Sequence, residues 1–291
     1  MNNLFEGVKE LWISIRYFIY QKFVFRDMVK VRSIDETIDA LVGTENSIIR
    51  FGDGEISLIA GRAGAVQRVE RVLGERLKEV LASNEDNLLI AINDIFTGMK
   101  DAHKKNQIFM KKHAIEFGSI CCQVYQSNRV YYNAQVTRCY YHLADRSLSG
   151  QYFEKIKSIW KGKKVVVVEG ESTHNGVGND LLSGAISVKR VLCPSTDAFR
   201  VYDEILETCV EFDADNLFLL SLGPTANLLA YDLFKRGYRV IDIGNVDLEY
   251  EWYLRKASGK IPLEKHQIIG IEANKKAGYD EYISQIVSCV L

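Results

Sequence analysis

Two acidic residues in a glycine-rich segment are the part of this sequence best suited to chemistry. Asp53 and Glu55 are separated by one glycine within Arg50-Phe-Gly-Asp-Gly-Glu55. Glycine lets the backbone turn sharply and approach a ligand closely. Two carboxylates at this spacing can give two hard oxygen ligands to one divalent cation and leave other positions for water and phosphate. The alternative is a solvated turn that caps the next helix.

Two further loops combine glycine with polar residues. The loop at 169–180 contains Gly176-Val-Gly178 but lacks the third glycine of the dinucleotide fingerprint. If it opens a helix, it offers backbone N–H groups and a positive dipole end to phosphate. The loop at 221–227 places Pro224 where a helix can begin, and would turn the Thr225 hydroxyl toward the same crevice. The loop at 169–180 is equally compatible with a tight connection that Asn179 or Asp180 caps, and the loop at 221–227 with a good helix start and no binding role.

A fourth loop, residues 242–253, carries four acidic and three aromatic residues. Asp247 and Glu249 are candidates for a general base or a second metal ligand. The aromatic residues offer flat apolar faces of the kind that stack on sugars or bases. Taken alone, this segment is also typical of a solvated acidic helix start.

Apolar runs that alternate with helical patterns must position these loops. The clearest runs are residues 164–170, 188–193, 217–222 and 238–244. This alternation implies a parallel sheet covered on both faces. We therefore expect an α/β fold with a Rossmann-like, doubly wound, mostly parallel sheet, to which the amino half adds strands. Ligands bind beyond the carboxyl ends of such strands, so the four loops are expected to meet in one pocket.

The amino terminus has a different character, and the sequence divides into a helical segment at 1–32 and a single domain at 33–291. Residues 4–25 carry apolar and aromatic residues at helical spacing, interrupted by charges, which disfavours a signal peptide or a spanning helix. Trp, Tyr and Phe mixed with Lys and Arg suit a helix in a membrane interface. The alternative is a helix packed on its own domain or on a second subunit of a homo-oligomer.

The bulk composition excludes several classes. The net charge is −1, so nucleic acid is not an expected partner. The six cysteines form no Cys-X-X-Cys pair and suit free thiols of a reducing cytoplasm. The chain contains neither a P-loop nor a Gly-X-Ser-X-Gly motif.

In combination the four loops resemble the GT-D fold glycosyltransferases, a bacterial family first described as a domain of unknown function. The resemblance spans roughly residues 33–275, and the ordered combination is more specific than any single motif. The matching segments are Arg50–Glu55, Thr137-Arg138, Val168–Glu171, Gly176–Asp180, Lys189–Ser195, Gly223–Ala226, Asp242–Gly244 and Asp247–Trp252.

The resemblance implies an enzyme that moves a hexose from a UDP-sugar, with Mn²⁺ or Mg²⁺ held by Asp53 and Glu55. Asp247 or Glu249 would take the proton from the acceptor hydroxyl. The acceptor would be a glycan, either on a lipid carrier of a surface or capsular polysaccharide or on a glycoprotein. This places the enzyme in the cytoplasm, and at the inner face of the membrane for a lipid-linked acceptor. The expected donor contacts are Arg50, Arg138, Glu169, Gly170, Gly176, Gly178, Asn179, Asp180, Gly223, Pro224 and Thr225.

Two residues depart from the family pattern. His174 stands where the family often has Arg, which would weaken bidentate diphosphate binding. Asn245 stands where the family often has His, which removes a titratable group. These departures motivate an alternative function, a non-catalytic nucleotide-sugar-binding or scaffold subunit of a glycosyltransferase complex. A Rossmann-type oxidoreductase or methyltransferase is a third hypothesis that depends on fold analogy alone.

Overall fold

The fold was analysed in a computed structural model of the chain. It describes residues 2–25, 29–96, 99–127, 129–267 and 278–291. Within these residues the α-helices are α1 (Asn2–Phe23), α2 (Ile34–Asp39), α3 (Asp53–Ile59), α4 (Arg71–Ala82), α5 (Lys104–Val124), α6 (Ser149–Trp160), α7 (Tyr202–Cys209), α8 (Thr225–Phe234), α9 (Val246–Leu254) and α10 (Tyr279–Gln285). The strands are β1 (Lys30–Val31), β2 (Ser47–Phe51), β3 (Leu88–Ile92), β4 (Val130–Asn133), β5 (Lys164–Gly170), β6 (Ser187–Cys193), β7 (Leu217–Ser221), β8 (Arg239–Asp242) and β9 (Ile286–Cys289).

The described strands form one sheet in the order β1-β4-β3-β2-β8-β7-β5-β6-β9, and every pairing is parallel. The predicted Rossmann-like parallel sheet is therefore confirmed, and the strands of the amino half belong to the same sheet. The two halves meet where β2 pairs with β8, in the register Ile48 to Ile241.

The valine run of β5 shows why the sheet is covered on both faces. Successive side chains of a strand point to opposite faces. Val166 and Val168 pack into one hydrophobic core, which also contains apolar residues of α4, α5 and α8. Val165 and Val167 pack into the other core, with apolar residues of α2, α6 and α9. All four valines are buried completely, as the unbroken apolar run predicts.

The strand order gathers the loops that the sequence singled out. They follow β2, β5, β7 and β8, which are four neighbouring strands of the sheet in the order β2-β8-β7-β5. From β5 the chain moves outward to β6 and then returns to β7, so the winding direction reverses between β5 and β7. Such a reversal opens a crevice at the carboxyl ends of the strands.

One possible element is absent from the described residues. The sequence allowed the glycine-rich loop after β5 either to open a helix or to form a tight connection; residues 171–186 form a series of turns that leads straight into β6, without a helix. No helix dipole is therefore available to a phosphate group at this loop. The polar side chains of the loop explain the difference, because several of them bond to buried partners and hold the turns without a helix.

The amino-terminal helix forms as predicted. α1 packs on α5, where Tyr17 is buried and Tyr20 touches the helix at Gly118. None of the helices in the described ranges has the length and apolar character needed to cross a bilayer. The division of the chain at residue 32 stays a prediction, although β1 already belongs to the sheet.

Candidate active site

The two predicted metal ligands lie in the first turn of α3, directly after β2. Gly52 is the N-cap, and its backbone N–H donates to Glu55 Oε2 at 2.6 Å, so Glu55 rather than Asp53 closes the capping box. Asp53 is partly buried, and its carboxylate makes no hydrogen bond to the residues that the structure describes. One carboxylate oxygen of Glu55 and the whole carboxylate of Asp53 therefore stay open to another ligand.

The carboxyl group of Glu55 is hard to ionise. Burial raises the pKa of its carboxyl to about 7, and the nearby carboxylates of Asp242 and Asp53 act in the same direction. The hydrogen bond from Gly52 opposes the shift. A carboxyl that is hard to ionise beside a second carboxylate marks a position where a cation would be stabilised.

The chemistry of this pair fits a divalent cation that is shared with substrate. Carboxylate oxygens are the ligands that Mg²⁺ and Mn²⁺ take in proteins. Within the described residues no group of three His, Cys, Asp or Glu side chains forms a complete metal site. Asp53 and Glu55 would therefore supply part of a coordination shell, as expected where phosphate oxygens and water supply the rest.

Arg50 is engaged by the fold rather than free for a diphosphate. Its Nη2 lies 2.8 Å from Asp242 Oδ1, its Nε donates to the Asp242 carbonyl at 2.8 Å, and its Nη1 donates to the Ala134 carbonyl at 3.1 Å. The guanidinium runs beneath Gly244, where a Cβ would stand 1.9 Å from Nη2. Gly244 has φ +45°, so both its space and its backbone require glycine. The expected role of Arg50 as a donor contact therefore has no geometric support.

Arg138 is the better placed cation. It is partly buried after the 3₁₀ turn Ala134–Thr137 and forms no ion pair with the described residues. Burial and the neighbouring Arg50 lower its pKa, while the carboxylates of Asp53, Glu249 and Glu55 act against that shift. A guanidinium always carries its charge in proteins, so Arg138 offers unused donors beside the acidic pair.

His142 and Glu249 complete this group. Burial, then Arg138 and Lys260, lower the pKa of His142 to about 3. The ring is therefore neutral near pH 7, and its Nε2 accepts from Arg138 Nη1 at 3.3 Å. The approach of His142 Nε2 to Glu249 Oε1, 3.9 Å, is accordingly not an ion pair. Glu249 is buried, its Oε2 accepts from the backbone of Tyr141 at 2.6 Å, and burial raises its pKa.

Asp247 lies fully buried beneath the glycine loop. Its Oδ1 accepts from Gly176 N and from Asn179 Nδ2, both at 2.9 Å, and Lys265 Nζ lies 2.7 Å from its Oδ2. Lys265 also donates to the Val177 carbonyl at 2.9 Å. Asp247 thus fixes the loop from below, and its predicted role in proton transfer stays a prediction.

The residues that begin the glycine loop are also held inside. Glu169 Oε1 lies 2.5 Å from Arg190 Nη1, and its Oε2 accepts from Asn175 N and Nδ2, both at 2.8 Å. Gly170 lies against Ser195, because a Cβ there would meet Ser195 Cα at 2.9 Å. Glu169 and Gly170 therefore support the loop and expose little to a ligand.

The outer side of the loop forms one wall of a cavity of about 370 Å³. Gly176, Gly178 and Asn179 line it together with Arg190 and Tyr282. It shares no lining residue with the larger cleft described below. The expectation that all four loops meet in one pocket is thus only partly correct. Acidic residues of the first and fourth loops lie near Arg138, whereas the glycine loop lines a second cavity.

Asp180 is hydrogen-bonded to Tyr250, one of the aromatic residues that follow β8. Asp180 Oδ1 accepts from Tyr250 OH at 2.5 Å and its Oδ2 from Lys157 Nζ at 2.8 Å. Tyr250 and Trp252 are buried, and Trp252 donates to the Ile261 carbonyl at 2.9 Å. The expectation of open ring faces for a sugar is therefore wrong for Tyr250 and Trp252, because α9 turns them into the core, whereas Tyr253 is only partly buried.

The third loop begins α8 as predicted, with Pro224 as the N-cap. Thr225 is fully buried, and its hydroxyl donates to Gln67 Oε1 at 3.4 Å. Gly223 has φ +54°, and a Cβ there would meet Val66 Cγ2 at 2.8 Å. The segment that contains Val66 and Gln67 covers this loop, so the Thr225 hydroxyl does not face the crevice as the sequence indicated.

An open cleft with a volume of about 540 Å³ lies beyond β3 and β4. Sequence reasoning missed its polar residues, although they follow strand ends where ligands are expected. Asn93 connects it to the acidic pair, since the Asn93 amide lies beside Gly52 and accepts from Gln135 Nε2 at 2.5 Å. The other oxygen of that amide pair, Gln135 Oε1, is buried without a partner among the described residues. The polar residues that line the cleft include Asn93, Asp94, Asp101, Asn106, Asn133, Gln135, His142, Asp145 and Tyr152.

The two residues that depart from the family pattern lie in different surroundings. His174 is fully buried with φ +51°, and its Nε2 lies 3.1 Å from Tyr279 OH. Asn245 is exposed at the N-cap of α9, with no capping bond from its side chain. His174 therefore acts inside the fold, whereas Asn245 faces the edge at which ligands bind.

Comparison with known proteins agrees with this architecture. A family model described as "Glycosyltransferase GT-D fold" matches residues 48–270. A structure described as "The highly conserved domain of unknown function 1792 has a distinct glycosyltransferase fold" has a TM-score of 0.86 and 35% identity, covering 94% of this chain and 100% of that one. "A New Glycosyltransferase (DUF1792) from Streptococcus sanguinis" has a TM-score of 0.84 and 35% identity, with coverage of 90% and 100%.

Two curated relatives are longer proteins. "Probable glycosyl transferase Gly" of Streptococcus gordonii is 37% identical over 268 residues, which are 89% of this chain and 39% of that protein. "Glycosyltransferase GlyD" of Streptococcus pneumoniae serotype 4 is 33% identical over 272 residues, 91% of this chain and 33% of that protein. The chain thus spans well under half of either relative. The sheet, the ordered loops and the extent of the match together show that this chain belongs to the GT-D fold family of glycosyltransferases.

Proposed function

We propose that this chain transfers a hexose from a UDP-sugar to a glycan hydroxyl with the help of a divalent cation. The observation that carries the proposal is the group formed by Asp53, Glu55 and Arg138. It sets two carboxylates beside one guanidinium, beyond the carboxyl ends of β2 and β4, which lie on either side of β3. A metal–diphosphate pair has both complementary charges.

Asp53 and Glu55 would hold Mn²⁺ or Mg²⁺, which would neutralise the charge that develops on the departing diphosphate. Arg138 would bind the same diphosphate through its free donors, since guanidinium and phosphate match in geometry as well as charge. Neutral His142 accepts one Arg138 donor and so fixes the orientation of the guanidinium. These residues bind and orient the leaving group.

The cleft of about 540 Å³ would receive the sugar acceptor. The carboxylates and amides of the cleft offer both acceptors and donors to hydroxyl groups. Asn93 lines the cleft and also lies beside Gly52, which directly precedes Asp53. Of the two predicted bases, Glu249 is nearer to the cleft, because its Oε1 lies 3.9 Å from the cleft residue His142. We assign Asp247 to holding the glycine loop.

Release of UDP from UDP-glucose, UDP-galactose and their N-acetyl forms, measured with Mn²⁺ and with EDTA, tests the proposal. Asp53→Asn and Glu55→Gln should each lower the Mn²⁺-dependent rate about 100-fold or more, the range found when one charge-stabilising group is removed. Glu207→Gln is the control, because Glu207 is exposed on α7 and lines neither cavity. Unchanged rates in both site variants would refute the metal assignment.

The exposed Asn245 favours one alternative, a subunit that binds a nucleotide sugar without turning it over. That function predicts Mn²⁺-dependent UDP binding by calorimetry in a chain that releases no UDP from any donor. Asn245→His then separates the two functions. A gain of turnover in this variant identifies Asn245 as the cause of inactivity in the natural chain.

A further inference from the structure

The surface of α1 that faces away from the domain carries exposed apolar and aromatic side chains. Its exposed residues recur at helical spacing and form one stripe along the side that faces away from the domain. Their exposed fractions run from 48% to 73%. We call this surface the α1 stripe; it consists of Val8, Leu11, Trp12, Ile15, Phe18, Ile19 and Phe23.

The inner side of α1 is the more polar one, and it is bonded to the domain. Tyr17 OH donates to the Ile95 carbonyl, and Gln21 Nε2 donates to the Phe96 carbonyl at 3.2 Å. Lys111 Nζ of α5 lies 3.5 Å from Ser14 Oγ. These bonds fix which side of the helix faces inward. The α1 stripe is therefore not a core face that has failed to pack, because turning it inward would break them.

Basic side chains border the α1 stripe. Lys9, Arg16 and Lys22 are exposed on α1 itself. Together α1 and α5 carry seven Lys or Arg residues against three Glu residues, a formal charge of +4, whereas the whole chain has −1. Positive charge is thus concentrated on the part of the molecule that exposes the apolar stripe.

We propose that the α1 stripe binds an anionic lipid surface, with α1 lying in the plane of the interface. Apolar and aromatic residues on one face with basic residues beside them are the features that hold a helix at the boundary of headgroups and acyl chains. The basic residues would attract the negative surface potential of such a leaflet. A second copy of the chain is disfavoured as occupant, because a two-fold contact through the stripe would bring Lys9 and Arg16 of both copies together.

The attachment of α1 gives this surface a place relative to the site. Ile95 and Phe96, which accept its hydrogen bonds, directly follow Asn93 and Asp94 of the 540 Å³ cleft. Met110 of α5 lines the same cleft. If the proposed glycosyl transfer is correct, lipid binding would bring the cleft close to an acceptor carried on a lipid; the binding itself does not depend on that function.

Tryptophan fluorescence offers a direct readout. Trp12 is 62% exposed, whereas Trp160 and Trp252, the other tryptophans of the chain, are 0% and 7% exposed. Binding to lipid should therefore shift the emission of Trp12 to shorter wavelength and leave the buried pair unchanged. The full chain is titrated with vesicles of phosphatidylglycerol and phosphatidylcholine, and with vesicles of phosphatidylcholine alone. Sedimentation of the same mixtures measures the bound fraction.

We expect binding to the anionic vesicles that weakens with salt. Replacing Lys9, Arg16 and Lys22 by Gln should weaken it about fivefold for each side chain. Leu11→Glu with Phe18→Glu should abolish it, while Ile186→Glu, the same change at a residue 70% exposed elsewhere, should have no effect. Thermal melting checks that the variants fold.

Two results would overturn the proposal. One is the absence of binding to anionic vesicles by the unaltered chain. The other is equal binding to both kinds of vesicle with no effect of salt, which contradicts the assigned lipid chemistry. Light scattering tests the competing use of the stripe, which is self-association. If the chain does not bind vesicles but forms a dimer that Leu11→Glu with Phe18→Glu dissociates, the α1 stripe is a contact to a second copy.

Discussion

Replacing Glu55 by Gln should make the metal-free protein more stable at neutral and alkaline pH while it removes activity. In the folded chain the pKa of this carboxyl is about 7, against 4.5 for an ordinary glutamate. The folded state therefore holds a proton that the unfolded chain gives up between these two pH values. Stability from this group is complete below pH 4.5 and is lost as the pH rises through 7. Gln keeps an oxygen that can accept from Gly52 N and carries no charge at any pH.

The size of the effect follows from the same two values. Each tenfold change in proton affinity corresponds to about 1.4 kcal/mol, so the ionised Glu55 costs at most about 3 kcal/mol at pH 8. Glu55→Gln should gain up to that amount at pH 8 and little at pH 5. For a chain of this length the gain corresponds to a rise in melting temperature of roughly 6–10 °C.

Urea unfolding of both proteins at pH 5, 6, 7 and 8, in EDTA, measures the difference. Glu36→Gln changes the corresponding capping residue of α2 and should show the opposite sign, because hydrogen bonds from Ser33 lower the pKa of Glu36. Adding Mn²⁺ should stabilise the unaltered protein more than the Glu55→Gln variant. A variant that is no more stable at pH 8 than the original chain would show that Glu55 bears no buried charge, and the argument for a cation at this position would fail with it.

Three other substitutions test separate parts of the structure. Gly244→Ala should destabilise the fold by several kcal/mol in urea unfolding, on the order of 3, because its methyl group would displace Arg50; an unaltered midpoint would contradict this. Arg190→Met should cost about 3–5 kcal/mol by leaving Glu169 buried and unpaired, and adding Glu169→Gln should recover much of the loss, whereas additive losses would speak against a coupled pair. Arg138→Met should weaken UDP binding at least tenfold by calorimetry, because its guanidinium is the proposed contact to the diphosphate; unchanged binding would refute that role.

Much of the architecture could be predicted because local pattern and packing agree. The valines of β5 fill both faces of the sheet, and the capping box of Ser33 with Glu36 begins α2 where the sequence placed it. Parallel pairing then brought the predicted loops to one edge. At this edge Arg138 interacts electrostatically with Asp53 and Glu55, while the roles of these residues in metal and donor binding stay predictions.

The partners of individual polar side chains could not be predicted, because they depend on distant residues. Arg50 and Asp242 are 192 positions apart in the chain, and nothing near Arg50 shows that its donors are taken. Asp247 likewise bonds to Lys265 and to the glycine loop rather than to solvent. The polar cleft was missed for another reason: Asn93 and Gln135 are single residues after short strands, and neither forms part of a motif.

The contact between β2 and β8 has a further consequence for how the enzyme responds to sequence change. It is the only strand pairing that joins β1–β4 to β5–β9 within the described sheet. Two side chains support it: Asn227 Nδ2 donates to the Arg50 carbonyl at 3.0 Å, and Ser47 Oγ accepts from Val240 N at 2.9 Å. Both hydrophobic cores also run across this contact, so each set of strands depends on the other for its apolar packing. A substitution at this contact should therefore lower the stability of the whole sheet, and the two sets of strands should unfold together rather than one after the other.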